Sequence, residues 1–472
     1  MHLAVVGSGY VGLVAGVCFA ELGHEVVLVD NDVRKVESLR AGKVPIHEEH
    51  LQELLARNIH NGRLEFTESL CDAVRTCSVI FIAVGTPPLH NGEADLSYIE
   101  AVAREIACNV DDYKIIVEKS TVPVLTHDWI RRVMLMNGAP QESFDVVSNP
   151  EFLREGTAIM DFLYGDRIVV GVDSPRAEGV LRLLYSPLVD GDYAARPDAL
   201  PAPEGQPKVP QLIVTTAKSA ELIKHASNAF LAVKISFINA VACIAEAVGA
   251  DIQEICEGMG SDSRIGPRFL RPGLGFGGSC FPKDLKAFRS VARECGYDFA
   301  LLDAVIGINE EQRSRFLRKV RSALWTLKSK RVAVLGLAFK GGTDDIRESP
   351  AIAVVEQLLM EGCEVTAYDP AAMERSREML GSRVQYAADC YTAAEGADCL
   401  LILTDWEEFA GLDLPRLKNA LKYPIIVDGR NMFDCETMQA AGFQYHSVGR
   451  VNTVTVHRHK MRAKAVAAVE PR

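Results

Sequence analysis

The stretch Gly7-Ser8-Gly9-Tyr10-Val11-Gly12 constrains the fold of this chain more than any other feature. An apolar run at residues 2–7 leads into it, an apolar helical pattern follows, and a second apolar run at residues 25–30 ends in Asp30. In such a β-α-β unit the first glycine permits a tight turn, the second lets a pyrophosphate approach, and the third lets helix and strand pack closely. An ordinary glycine turn is the alternative interpretation. The flanking strands and Asp30 favour a dinucleotide-binding fingerprint.

Asp30 also predicts which dinucleotide binds. It ends the second strand at the spacing of the carboxylate that accepts hydrogen bonds from the ribose hydroxyls. A carboxylate at this point repels a 2′-phosphate, so the sequence predicts NAD rather than NADP.

Strand patterns alternate with helical patterns along most of the chain, which predicts parallel, doubly wound sheets. The first half continues with strands at 79–84, 115–118, 146–148 and 168–171 and helices at 98–107 and 177–185. A second series begins at residue 331, with a helix at 350–360 and strands at 364–369, 399–404 and 425–428. There Gly336 and Asp369 occupy the places of Gly7 and Asp30, but the triple-glycine fingerprint is missing. This half is predicted to bind something other than the dinucleotide.

A long helical pattern at 216–248 is apolar on most faces, so it is predicted to be buried, to join two domains and to form a subunit interface. The predicted fold class is therefore α/β, with two Rossmann-like, doubly wound parallel sheets joined by a long central helix. The predicted domains are an N-terminal NAD-binding domain (1–200), a central helical dimerisation domain (213–325), a C-terminal Rossmann-like domain (326–455) and a mobile tail (456–472). The proline-rich stretch 186–218 is predicted to be a surface loop.

Composition excludes several classes of function. The 472 residues carry a net charge of −12, which disfavours nucleic acids and anionic membranes as partners. The chain shows no leader pattern, and no uninterrupted apolar run reaches the roughly 18 residues that span a bilayer. The 12 cysteines form no CxxC pair, and the 11 histidines show no zinc spacing, so no metal is predicted. Free thiols indicate a cytoplasmic protein.

A cysteine in a glycine-rich turn is the main candidate for chemistry. In Gly275-Phe-Gly-Gly-Ser-Cys280-Phe-Pro-Lys-Asp284 the glycines expose the sulfur, and Pro282 suits the first turn of a helix. Lys283 and a helix N-terminus both lower the pKa of a thiol, and Asp284 can face the same pocket. Inert burial is the usual fate of a lone cysteine. The surrounding residues favour a nucleophile here.

Polar residues after strand ends are further candidates, because ligands of open parallel sheets bind at the carboxyl ends of the strands. Thr86 and Thr121 each follow a strand, with loop punctuation as the alternative. Glu151 and Glu155 share one face if their segment is helical, with a solvated helix start as the alternative.

Lys224 and Asn228 are four residues apart on the long apolar helix. A lysine at a helix edge usually extends its amine to solvent. Beside a reactive thiol, the two side chains would instead form a donor pair for an oxyanion.

Together these segments resemble the UDP-glucose/GDP-mannose dehydrogenase family over nearly the whole chain. The matching segments, in the family's order, are GSGYVG, VGTP, STVP, SNPEFLREG, KHASNAF, RIGPRF, GFGGSCFPKD, LAFKGGTDDIRES and DGRN. The resemblance implies an NAD domain, a dimerising central helix and a C-terminal domain that holds UDP. It also implies a homodimer or higher homo-oligomer that supplies UDP-glucuronate for polysaccharide biosynthesis.

The resemblance further implies residue roles. Implied contacts with NAD are Gly7, Gly9, Tyr10, Val11, Gly12, Asp30, Lys35, Thr86, Thr121, Glu155, Lys283 and Arg347. Implied contacts with the sugar nucleotide are Glu151, Phe152, Leu153, Arg154, Glu155, Lys224, Asn228, Arg264, Phe269, Leu270, Arg271, Gly273, Phe276, Gly277, Phe339, Lys340 and Arg430. The implied catalytic residues are Cys280, Asp284, Lys224, Asn228, Glu151 and Thr121.

The implied reaction is the four-electron oxidation of UDP-glucose to UDP-glucuronate with two NAD and one water, through a thiohemiacetal and a thioester on Cys280. Two alternatives stay open at this point. One is a sibling enzyme that acts on GDP-mannose or a UDP-N-acetylhexosamine. The other is an NAD-binding regulator without activity, against which the joint presence of Cys280, Asp284, Lys224 and Asn228 argues.

Overall fold

The computed structural model of the chain describes residues 1–87, 89, 94–205 and 209–450. These residues form two compact units. The first contains residues 1–227 and 286–298, and the second contains residues 228–285 together with the chain from 299 onward. The predicted tail at 456–472 lies outside the described residues, and the predicted domain boundaries stay predictions.

The first unit is built on an eight-stranded sheet with the order β3-β2-β1-β4-β5-β6-β7-β8. Its strands are β1 (His2–Val6), β2 (Glu25–Val29), β3 (Leu64–Thr67), β4 (Val79–Ile82), β5 (Lys114–Glu118), β6 (Phe144–Ser148), β7 (Arg167–Gly171) and β8 (Gln211–Thr215). Neighbouring strands are parallel except for β6 and β7, which meet in antiparallel fashion at Ser148 and Gly171. Its helices are α1 (Tyr10–Glu21), α2 (Val33–Arg40), α3 (Leu51–His60), α4 (Leu70–Thr76), α5 (Ser97–Ala107), α6 (Thr126–Met136), α7 (Ala158–Leu163) and α8 (Pro175–Val189).

Both faces of this sheet are buried, as a parallel sheet between helices requires. Along β1, Leu3 and Val5 belong to one core cluster, whereas Ala4 and Val6 belong to another. Successive side chains of a strand point to opposite faces, so a continuous apolar run such as β1 covers both.

Four helices follow the first sheet in the chain. They are α9 (Ala217–Val248), α10 (Ile252–Gly260), α11 (Phe281–Glu294) and α12 (Ala300–Leu324). Helix α9 begins in the first unit and continues into the second.

The second unit contains a six-stranded parallel sheet with the order β11-β10-β9-β12-β13-β14. Its strands are β9 (Arg331–Leu335), β10 (Glu364–Tyr368), β11 (Val384–Tyr386), β12 (Cys399–Ile402), β13 (Ile425–Asp428) and β14 (Gln444–His446). Its remaining helices are α13 (Pro350–Met360), α14 (Met373–Leu380), α15 (Cys390–Ala394), α16 (Glu407–Ala410), α17 (Leu414–Ala420) and α18 (Cys435–Ala440). Two doubly wound α/β sheets and the long helix α9 confirm the predicted fold class.

The prediction that α9 is buried is wrong on one face. Phe230, Phe237, Ile244 and Val248 are exposed by 65%, 51%, 62% and 72%. Their spacing of four and seven residues places them on one side of the helix, and we call this set the α9 stripe. Apolar composition on most faces does not reveal which face lacks a packing partner.

Helix α9 is also long and apolar enough, by length and composition, to cross a membrane, and no other helix of the described residues is. The mean hydropathy of its most apolar window is 1.8, and a third of that window is buried within the protein. Core helices of globular proteins meet the same two criteria.

The proline-rich stretch differs from the predicted surface loop. Helix α8 continues through Pro187 to Val189, and residues 211–215 form the edge strand β8. Tyr193 and Leu200 between them are buried in the core of the first unit. The burial of large apolar side chains outweighs the preference of the prolines for a surface loop.

Candidate active site

The fingerprint turn leaves open the space that a pyrophosphate needs. Gly7 has a φ of +98°, and a Cβ there would lie 2.7 Å from the oxygen of Ala83. A Cβ on Gly12 would lie 1.8 Å from the oxygen of Gly7, so α1 packs directly against the turn. A Cβ on Gly9 would meet nothing within 4 Å. Since α1 begins at Tyr10, its N-terminal N–H groups face this open space, which fits a phosphate group.

Asp30 is fixed at the end of β2 by the same turn. Its Oδ2 accepts hydrogen bonds from the backbone N and the hydroxyl of Ser8, at 2.8 and 2.6 Å, and from Lys35 Nζ at 3.1 Å. Burial acts to raise its pKa, but the hydrogen bonds from Ser8, Asp32 and Lys35 hold that pKa below the ordinary value. A carboxylate held ionised here suits ribose hydroxyls and opposes a phosphate. Lys35, an implied NAD contact, lies against Asp30.

Two threonines and two glutamates follow the strand ends of the same sheet. Thr86 donates to the backbone oxygen of Thr121 at 3.0 Å, and the Thr121 hydroxyl donates to Glu151 Oε1 at 3.3 Å. Residues 151–157 form a loop rather than a helix, so Glu151 and Glu155 do not share a helical face as expected. Glu151 instead bends back to accept from the backbone N of Leu153 at 2.8 Å.

Lys224 is buried and paired, and the alternative of a solvent-extended lysine is wrong. Its Nζ lies 2.9 Å from Glu151 Oε1, and each side chain is only 4% exposed. It also lies 5.4 Å from the centre of the Phe152 ring. Burial acts to raise the pKa of Glu151, but the charge and hydrogen bond of Lys224 hold it below the ordinary value. The pair is a fixed, ionised element at the carboxyl edge of the sheet.

Sequence reasoning missed a second buried lysine in this cluster. Lys119, at the end of β5, is 5% exposed and donates to Asn149 Oδ1 at 3.1 Å. Burial and the charge of Lys224 lower the pKa of Lys119 to about 8, against the opposing attraction of Glu151. Lys119 and Lys224 therefore share a buried network of charges with the carboxylates of Glu151 and Glu118. The only sequence signal was a charged residue directly after a buried apolar strand.

In the second unit, Cys280 directly precedes the first residue of α11. Its backbone oxygen accepts the N–H of Asp284 at 2.8 Å, and its Sγ lies 3.6 Å from the Ser279 hydroxyl. The thiol is partly exposed. A helix N-terminus favours a thiolate, so this position suits a nucleophile.

Asp284 is buried in the first turn of α11. It is 2% exposed, and its Oδ2 accepts from Asn228 Nδ2 at 2.6 Å. Its Oδ1 lies 3.7 Å from Lys283 Nζ. Asn228 is thereby fixed one helical turn after Lys224 on α9.

Most other thiols are disfavoured as nucleophiles. Burial raises the pKa of Cys18, Cys77, Cys243, Cys256, Cys363, Cys390 and Cys399. The contrast with the position of Cys280 supports its selection from the sequence.

The loop that leads to Cys280 packs against the second sheet. A Cβ on Gly278 would lie 2.8 Å from the Phe339 ring, and one on Gly277 would lie 2.3 Å from the oxygen of Glu348. A Cβ on Gly273 would lie 2.7 Å from the oxygen of Gly429. These glycines let the loop follow the carboxyl ends of β9 and β13, where ligands of such sheets bind.

Several implied substrate contacts lie around this loop. Arg430 donates to the backbone oxygens of Leu403 and Phe339, both at 2.8 Å, and burial lowers its pKa. Lys340 Nζ lies 5.7 Å from the Phe339 ring centre. Phe276 and Leu270 are buried, and Phe269 is partly buried with a φ of +66°.

Other implied contacts do not join a cluster. Arg264 is exposed by 86% and pairs with Asp262 two residues away, and Arg271 is exposed. Arg154 pairs with Asp161, and Arg347 pairs with Asp345. Their implied roles stay predictions.

Comparison with known proteins agrees with this arrangement. Three family models match consecutive parts of the chain: the NAD binding domain (residues 1–189), the central domain (218–311) and the UDP binding domain (333–435) of the UDP-glucose/GDP-mannose dehydrogenase family. The chain belongs to this family. The predicted resemblance and the predicted cofactor NAD are confirmed. Most of the second sheet lies in the part matched by the UDP-binding domain, which agrees with a ligand other than the dinucleotide.

Relatives within the family cover nearly the full length. The chain is 46% identical to UDP-glucose 6-dehydrogenase TuaD of Bacillus subtilis, over 95% of this chain and 93% of that protein. It is 45% identical to UDP-glucose 6-dehydrogenase of Rhizobium meliloti, over 95% of this chain and all of that protein. Among solved structures, a UDP-glucose dehydrogenase from Pyrobaculum islandicum superposes with a TM-score of 0.85 at 39% identity, covering 95% of this chain and 98% of that one.

Proposed function

We propose that the chain oxidises UDP-glucose to UDP-glucuronate with two NAD and one water. The observation that carries the proposal is Cys280 at the start of α11 with Asp284, fixed by Asn228, in the next turn. An ordinary alcohol dehydrogenase has no need of a nucleophile, whereas a two-step oxidation at one carbon does. The named relatives act on UDP-glucose by their printed names, which favours that sugar over those of the sibling enzymes.

NAD held at the Gly7–Gly12 turn and Asp30 would supply the hydride acceptor for C6 of the glucose in both oxidation steps, and each step would also release one hydroxyl proton to water. The Cys280 thiolate adds to the aldehyde carbon that the first oxidation leaves, giving a thiohemiacetal. Loss of the second hydride converts this adduct to a thioester. Asp284 takes a proton from water, the resulting hydroxide adds to the thioester carbonyl, and the thiolate leaves as the carboxylate forms.

The two donors on α9 stabilise the oxygen that becomes negative. An unperturbed lysine is a cation at neutral pH, so we assign Lys224 electrostatic stabilisation rather than a role as base. Asn228 donates through its amide and holds Asp284. Glu151 keeps Lys224 in place, and we assign Glu151 and Thr121 the binding of a water.

The test is to count NADH for each sugar consumed, using purified protein and a panel of UDP-glucose, GDP-mannose and UDP-N-acetylmannosamine. We expect two NADH per UDP-glucose and little free aldehyde. Cys280→Ser should reduce NADH production by more than about tenfold while NAD binding is retained, because a serine hydroxyl is a weak nucleophile. Cys108→Ser, an exposed cysteine, is the matched control. One NADH per sugar in the unaltered protein would leave simple two-electron oxidation as the better description.

A variant that stops at the thioester would identify the nucleophile directly. In Asp284→Asn the amide cannot accept a proton from water, so the acyl group should accumulate on Cys280. Intact-protein mass spectrometry after incubation with UDP-glucose and NAD should show the mass of one sugar-nucleotide acyl group.

We also propose a cytoplasmic homodimer formed through the α9 stripe. Contiguous exposed apolar side chains on a long helix mark a protein interface. Sedimentation of Phe237→Glu should show monomers where the unaltered protein shows dimers.

A further inference from the structure

Glu48 is a buried carboxylate to which sequence reasoning assigned no role. It lies between α2 and α3 and is 8% exposed. Its Oε1 accepts the backbone N–H of Ala158 at 2.7 Å, and its Oε2 accepts that of Gly156 at 2.7 Å. The Tyr10 hydroxyl also donates to Oε2. A solvated loop glutamate makes no such set of contacts.

These contacts join two parts of the candidate site within the first unit. Tyr10 is the first residue of α1, directly after Gly9 of the fingerprint. Gly156 and Ala158 end the loop that carries Glu151 and Glu155. The N–H of Gly156 also lies 2.7 Å from the Tyr10 hydroxyl oxygen, so tyrosine, carboxylate and loop backbone form one closed set of hydrogen bonds.

We propose that Glu48 is a positioning residue, which fastens the Glu151–Glu155 loop to the pyrophosphate turn through Tyr10 and so keeps the NAD site formed. This inference rests on the proposed function in one respect only: NAD binding is used to measure whether the loop is held in place.

The contacts require the ionised form of Glu48. Two N–H groups and one hydroxyl point at its two oxygens, and a proton on Oε2 would displace one of these donors. Burial, with the charge of Asp161, raises the pKa of Glu48 to about 7, although the N–H groups of Gly156, Ala158 and Ile159 oppose the shift. Asp161 is itself paired with Arg154, and the neighbouring Glu49 extends into solvent. Loop fastening should therefore weaken as the pH falls through about 7.

The test compares Glu48→Gln with Glu49→Gln, the same change one residue away at an exposed side chain. NAD affinity is measured by calorimetry without sugar from about pH 6 to about pH 8, a range that brackets the titration. Unaltered protein and Glu49→Gln should bind NAD about fivefold more weakly at the acid end of this range. A change of about fivefold corresponds to the free energy that one hydrogen bond contributes. Glu48→Gln should bind about fivefold more weakly at the alkaline end and show a flat profile, because its amide mimics the protonated acid.

Two results would overturn the proposal. The first is Glu48→Gln with NAD affinity within about twofold of unaltered protein at the alkaline end. The second is weakened binding in Glu48→Gln that keeps the pH dependence, which would indicate a purely structural role. If Glu48→Gln does not fold, Tyr10→Phe keeps both backbone contacts of Glu48 and should weaken NAD binding about threefold with the pH dependence retained. Because no sugar is present, these results are independent of whether UDP-glucose is the substrate.

Discussion

The first turns of the two sheets begin alike and end differently. Gly7 and Gly336 both have a positive φ, of +98° and +94°, and both donate to the last residue of the neighbouring strand, at 2.7 and 2.8 Å. After Gly7 the helix α1 starts at Tyr10, but after Gly336 the helix α13 starts only at Pro350. The second turn therefore has no helix N-terminus at which a pyrophosphate could bind.

The acidic residue of each turn has a correspondingly different role. Asp369, 1% exposed, accepts from Leu337 N, Ala338 N, Ala371 N, Ala372 N and Trp406 Nε1. Asp30 lies in an equivalent place but next to open space at Gly9. Asp369 therefore accepts four backbone N–H groups, whereas Asp30 accepts two, from Ser8 and Asp32, and its other two donors are the side chains of Ser8 and Lys35.

The largest expected effect separates the two aspartates by stability. Asp369→Ala leaves four N–H groups and an indole N–H without their acceptor, which should lower the free energy of unfolding by about 3–4 kcal/mol. Asp30→Ala should cost about 1–2 kcal/mol, since two of its four donors belong to Asp32, which is exposed, and Lys35, which is half-buried. Urea unfolding followed by tryptophan fluorescence measures both. Equal losses would remove the distinction between a structural and a ligand-binding carboxylate.

The next effect concerns cofactor choice. Unaltered protein should prefer NAD over NADP by about a hundredfold in kcat/KM, because Asp30 repels the 2′-phosphate. Asp30→Ala should reduce that preference to about tenfold or less, and Asp369→Asn should leave it unchanged. Comparable use of both cofactors by the unaltered protein would exclude the role given to Asp30.

The smallest effect tests the second glycine alone. Gly9 has an ordinary φ of −71° and open space at its Cβ, so Gly9→Ala should fold normally. The methyl group would occupy the pyrophosphate space and weaken NAD binding by about tenfold, or about 1.4 kcal/mol. The reciprocal Ala338→Gly should leave NAD affinity unaltered. A melting temperature that falls in Gly9→Ala would show that the turn, rather than the ligand space, is disturbed.

Local sequence patterns predicted most of the fold but only part of the candidate site. The fingerprint, Asp30 and the Cys280 turn lie in short segments whose spacing determines their geometry. Lys119 and Glu48 acquire their surroundings from residues far away in the chain, so no short pattern reveals them. Residues 151–157 form a loop and α7 begins only at Ala158, so the four-residue spacing of Glu151 and Glu155 did not predict a shared helical face.

The α9 stripe has a consequence for how the stability of this protein depends on its concentration. If two copies cover the stripe, the native fold and the pairing of chains share one equilibrium, and mass action then links stability to concentration. Dilute protein should melt at a lower temperature than concentrated protein. Newly made chains, scarce at first, would spend longer with the stripe uncovered before they find a partner.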